Sequence, residues 1–98
     1  MITPNIMLPK VKIAARISTD AFDAQIKDLI TAAQMDLGIA GVIVPDEFDS
    51  LVSQAITTYC LMNFGLVDEY DRLKRSYDEQ KAQLVTATGY TEWSGEDV

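Results

Sequence analysis

The sequence predicts an all-α fold: a small helical domain of three main helices, a short N-terminal helix and a flexible C-terminal tail. Three observations predict it. Apolar residues recur at steps of three and four in three successive segments, the period of a helix with one buried face. Glycine or proline stands between those segments, where helices stop and start. In the last segment acids and bases sit four residues apart, the spacing at which neighbours on a helix surface pair.

Taken in order, residues 1–7 hold Pro4 and little periodicity, and read as an extended, mobile arm. Pro9 suits the first turn of a short helix reaching about Arg16, because a missing N–H loses no helical partner there. Leu8, Val11, Ala14 and Ala15 then face inward. Ser18, Thr19 and Asp20 offer oxygens to the free N–H groups of a second helix, Asp20–Leu37. Its stripe is Phe22, Ile26, Leu29, Ile30, Ala33 and Leu37, and Gly38 is placed to end it in the left-handed conformation. The apolar connector GIAGVIV follows, with an extended piece at Val42–Val44.

Pro45, Asp46 and Glu47 open a third helix that runs to Phe64, with Asp46 as its cap. One side carries Phe48, Leu51, Val52, Ala55, Ile56, Tyr59, Met62 and Asn63. The other side is neutral, with Ser53, Gln54, Thr57, Thr58 and Leu61. A solvated face normally carries Lys and Glu, so this one is expected to meet protein, its own core ahead of a neighbour. Gly65 precedes the fourth helix, Asp68–Gly89, whose stripe is Leu66, Tyr70, Leu73, Tyr77, Gln80, Leu84 and Ala87. Asp68–Arg72, Asp71–Arg75 and Lys74–Asp78 are its spaced pairs. Each contributes only about 0.2–0.5 kcal/mol, so they describe a wet face and not a catalytic centre. The expected core is Phe22, Ile26, Leu29, Ile30, Leu51, Val52, Ile56, Tyr59, Tyr70, Leu73 and Tyr77.

Ninety-eight residues make one domain, placed at 1–89, with a tail at 90–98. The net charge of −7 is uneven: residues 1–19 carry +3 and residues 20–98 carry −10. An acidic body argues against tight, sequence-specific nucleic-acid binding, which needs clustered cations. The basic head, Lys10, Lys12 and Arg16, is instead a candidate subunit interface, attracted to acids of a neighbouring copy. There is no histidine and one cysteine, so the usual general base and any thiol pair are absent. Cys60 in an apolar helix reads as core. The glycines form no phosphate cradle, and Asp46-Glu47-Phe48-Asp49 lacks the alternating ligands of a calcium loop. No catalytic, cofactor or metal residues are assigned, and no enzyme is expected. Neither a secretory signal nor a membrane span is read. Beyond Gly89, Tyr90 and Trp93 stand in an otherwise polar, acidic tail. Such aromatics either fold back onto the domain or dock into a partner, and as candidate anchors they are expected to be mobile in the free subunit and ordered on a partner.

Three segments in this order carry a resemblance: LITAAQMDLGIAGV (Leu29–Val42), TYCLMNFG (Thr58–Gly65) and YDRLKRSYDEQKAQLVTATGYT (Tyr70–Thr91). They look like the head–tail connector proteins of tailed bacteriophages and prophages, also called adaptor or head-completion proteins. The likeness covers about Leu8–Thr91. Leu61 departs from it, standing where a polar or basic residue is implied. The resemblance implies a structural virion protein, made in the bacterial host cytoplasm. It would form a twelvefold ring under the portal, extend the DNA channel, help retain the genome and link the capsid to the next tail-side component. The residues alone leave a second reading, a small helical protein-binding or regulatory module. A helix-turn-helix DNA binder is weaker, since no candidate recognition helix is basic.

Overall fold

The structure, a computed structural model, describes residues 2–43, 50–64 and 69–86. Four helices and no strand run through them: α1 (Pro4–Ala15), α2 (Asp23–Ile39), α3 (Ser50–Asn63) and α4 (Tyr70–Thr86). The all-α expectation holds. The expected opening of the third helix at 45–47, Phe48, Gly65, Leu66, Asp68, Ala87, Gly89 and the tail with Tyr90 and Trp93 lie outside the described residues.

The N-terminal arm is corrected. Pro4 takes the first helical position, and Pro9, expected there, lies inside α1. What fixes the start of the chain is Gln34 on α2. The Ile2 N–H donates to Gln34 Oε1 at 2.6 Å, and Gln34 Nε2 donates to the Ile2 carbonyl at 2.8 Å. Both buried peptide groups are thereby satisfied, and Ile2, Met7 and Val11 join the core. Pro9 forgoes the helical bond to the Asn5 carbonyl, a loss that docking of the whole helix offsets. Leu8 and Ala15 are half-buried as expected, whereas Ala14 faces out. The helix closes at Arg16, in the left-handed region at φ 60°, with its N–H on the Ile13 carbonyl and the Ile17 N–H on that of Lys12.

α2 starts at Asp23, three residues later than expected. The Asp20 carboxylate is drawn to Lys12, and Thr19 Oγ1 accepts the Ala21 N–H, so no side chain caps the helix. Its end is also corrected. Gly38 stays helical, and Gly41 takes the left-handed conformation at φ 99°. The Gly41 N–H donates to the Gly38 carbonyl at 3.0 Å, and the Val42 N–H to that of Leu37 at 2.9 Å. That bond pair, with Leu37 and Val42 both buried, is the two-bond glycine terminator of a helix. Val42 and Ile43 show no regular structure.

α3 is the centre, packed against each of the other three helices. Its neutral side is mostly inside: Ser53, Thr57 and Thr58 are buried, Leu61 is half-buried against the core, and Gln54 is exposed. The hydroxyls bond back to carbonyls of their own helix, Thr57 to Ser53 at 2.8 Å and Thr58 to Gln54 at 3.0 Å. Short polar side chains can therefore be buried here without orphaned atoms. On α4, Leu73, Tyr77 and Leu84 are buried, and Lys74–Asp78 closes at 3.0 Å on the outside.

Of the expected core, Ile26, Ile30, Val52, Ile56, Leu73 and Tyr77 are buried, and Leu29 and Tyr59 are partly so. Phe22, Leu51 and Tyr70 are corrections: all three are exposed. They continue their stripes but stand at helix starts, where the partner helices no longer cover them. Phe22 keeps one edge-to-face contact with Phe64, centroids 5.4 Å apart.

Candidate interaction surfaces

The basic head is divided by the fold. Lys12, mostly covered, sets its Nζ 2.9 Å from Asp20 Oδ1 and 3.0 Å from Asp23 Oδ1, tying the end of α1 to the start of α2. These hydrogen bonds raise the Lys12 pKa and lower that of Asp20. Lys10 and Arg16 are exposed. Sequence spacing missed the Lys12 pairs because the partners are eight and eleven residues away, across a turn.

A second polar cluster ties α2 to α4. The Tyr77 hydroxyl donates to Asp36 Oδ2 at 2.5 Å, and Lys81 Nζ reaches the same oxygen at 3.2 Å while lying 5.2 Å from the Tyr77 ring centre. Burial pushes the Asp36 carboxyl up, but the Tyr77 and Lys81 bonds outweigh it and hold it below its usual value. Burial and the Asp36 bond push the Tyr77 phenol well up. The Tyr77 ring also meets Tyr59 edge-on at 5.3 Å. Every member has a structural partner here. This is a clamp.

Cys60 is buried in α3, and burial pushes its thiol up to about 12. Nucleophilic use needs a thiolate with access, and this thiol has neither. Among the described residues no group of three or more His, Cys, Asp or Glu is placed to hold a metal, and no helix is long and apolar enough to cross a membrane.

The notable surface is apolar. On α1, Ile6 and Ile13 are 56% and 78% exposed, and Pro9 between them completes one outward stripe. On α2, Met35 and Ile39 are 59% and 86% exposed. At 100° per residue these two continue Ala24, Asp28 and Ala32 along the side opposite the core. That side carries a single charge, Asp28. The stripe reading looked for inward faces and passed over it. An outward helix face with one charge was the available signal.

A family model described as phage connector protein matches residues 7–91. No curated protein and no solved structure matches the chain.

Proposed function

Because the chain belongs to the phage connector protein family, a structural family whose members associate with other head and tail proteins of the virion, we propose that it forms a ring beneath the portal vertex. The ring, twelvefold to match the portal, extends the DNA channel, helps retain the packaged genome and links the capsid to the next tail-side component. Subunits are made in the host cytoplasm, from a phage or prophage genome.

The observation that carries this reading is the exposure of Ile6, Ile13, Met35 and Ile39 on two outward helix faces. Large apolar side chains grouped on the outer face of a helix suit a protein contact. The α1 face of one subunit meets the α2 face of the next, a heterologous contact that closes into a ring when its rotation permits. Charge favours that orientation: Lys10 and Arg16 stand with the α1 face, and Asp28 lies on the α2 face. Lys12 contributes by holding the α1–α2 turn in shape. Tyr90 and Trp93 anchor the tail on the portal or on the next component. An acidic body suits a conduit that must let DNA slide.

Electron microscopy of the protein mixed with its cognate portal tests this. Wild-type protein should decorate the portal with a ring, and Ile13→Glu or Ile39→Glu should abolish it. Rings that persist in both variants would refute the proposed interface. A strict monomer that never engages the portal would refute the function.

A further inference from the structure

α1 is apolar on two sides. Met7 and Val11 lie in the core of its own subunit, while Ile6, Pro9 and Ile13 face out. A helix that is apolar all round is ordinarily covered all round. Its inner side runs antiparallel to its own α2, since Gln34 holds Ile2 and Asp23 meets Lys12. What covers the outer side is a second question: a neighbour's α2 can lie along it in either direction. The spacing of the side chains separates the two.

Each outer face is a ladder with a charge near one end. On α1, Arg16 at the closing cap stands ten residues from Ile6, about 15 Å along the axis. On α2, Asp28 stands eleven residues from Ile39, about 16.5 Å. With the helices antiparallel and Arg16 level with Asp28, Ile13 falls opposite Ala32, Pro9 opposite Met35 and Ile6 opposite Ile39. Ala32 is small and leaves room for Ile13. With the helices parallel and either Lys10 or Arg16 level with Asp28, Met35 and Ile39 project past the end of α1 and stay bare. The antiparallel order covers these apolar side chains and sets opposite charges together.

We propose that α1 of one subunit lies antiparallel on the outer face of its neighbour's α2, in the register that sets Arg16 against Asp28 and Ile6 against Ile39. Every α2 is then held between two α1 helices, its own and a neighbour's, and the ring carries a continuous belt of alternating α1 and α2. A ladder of this length requires a shallow crossing of about 20°, since at about 50° its ends would part. The inference rests on the α1–α2 contact between subunits proposed above and gives that contact its direction and register.

Cysteine pairs read the register. In a Cys60→Ala background, Ile6→Cys with Ile39→Cys should link neighbouring subunits on mild oxidation, giving a ladder of multimers on a non-reducing gel. Ile6→Cys with Ala24→Cys, the pair that a parallel order brings together, should not. All three positions are exposed, so the fold should tolerate the changes. Oxidation is carried out on the concentrated protein alone and on rings assembled with the cognate portal. Arg16→Glu and Asp28→Arg should each raise the concentration that decorates half the portals by about two- to fivefold, and the double variant should restore it. Linking through position 24 in place of 39 would overturn the antiparallel register while the ring stands. Rings without either link would refute the α1–α2 contact and leave the ring itself intact. A link confined to single chains would also overturn the proposal, and neither rings nor links would refute it together with the function. A double variant no better than the single ones would overturn the pairing of Arg16 with Asp28.

Discussion

α2 and α4 have the same length, 17 residues each, and opposite outward faces. The outer side of α4 shows Asp71, Arg72, Lys74, Arg75, Asp78 and Glu79 to water, partly paired as Arg72–Glu69 at 3.1 Å and Lys74–Asp78 at 3.0 Å. The outer side of α2 shows Asp28 among Ala24, Met35 and Ile39. Both helices bury an inner stripe, so the difference is not one of folding. Surface pairs like those on α4 add little stability, and what they supply is a face that stays wet and solitary. α2 lacks that provision. Its face is unfinished in the isolated chain, and an assembly contact would complete it.

The largest expected effect defines what an inner residue is. Ile56→Ala, on the helix that touches all the others, should lower the unfolding free energy by about 2–5 kcal/mol in urea titrations. A loss below about 1 kcal/mol would mean that α3 is not the centre. Tyr77→Phe comes next, at about 1–3 kcal/mol, because among the described residues the Asp36 carboxylate then keeps Lys81 alone as a hydrogen-bonded partner. The same variant tests the pH dependence. Asp36 has a lowered folded pKa, so its contribution is present above its ordinary value of 3.8 and lost as pH falls through the folded value. Removing the Tyr77 hydroxyl should flatten the acid side of the stability curve, and an unaltered curve would show that the clamp is not what sustains it.

Cys60 gives an alkaline effect, small within any one pH unit. An unfolded thiol ionises near 9, and the folded one keeps its proton to about 12. Between those values the unfolded state binds fewer protons, so stability should fall as pH rises, by at most about 1.4 kcal/mol per unit. Cys60→Ala should remove that component of the slope, measured by denaturation at several pH values. The smallest effect bears on the comparison itself. Ile39→Lys and Arg75→Glu should each change subunit stability by no more than about 0.5 kcal/mol, yet only Ile39→Lys should impair assembly on the portal. Equal assembly defects from both would erase the distinction between the two faces.

The helical stripes were legible because burial imposes a period that residues such as Ile26, Ile30 and Ile56 display directly. Helix ends were less so. Pro4 and Pro9 both suit a first turn, and Gly38 and Gly41 both suit a last one. The choice rests on bonds that spacing does not reveal, to Gln34 across the fold in one case and to the Leu37 carbonyl within the last turn in the other. Phe22, Leu51 and Tyr70 keep the period and lose the burial, since a period says which side a residue faces and not whether a neighbour reaches that far. The interaction surface divided in the same way. The basic residues of α1 were visible as a charge excess, whereas the commitment of Lys12 to Asp20 and Asp23 required the turn to be seen. The apolar residues of the outer faces were in plain view but belonged to no inward stripe.

The pair of hydrogen bonds between Gln34 and the Ile2 main chain has a kinetic consequence. Chain ends ordinarily fray, and their amide protons exchange with solvent almost as fast as those of a free peptide. The Ile2 amide is held from a residue 32 positions away, so it cannot open by unwinding one turn of α1. It must wait for α1 to leave α2. Its proton should therefore exchange with the slow, cooperative set of mid-helix amides, and Gln34→Ala should move it to the fast set while the middle of α3 keeps its rate. The first residues of this chain would then be among the last to let go.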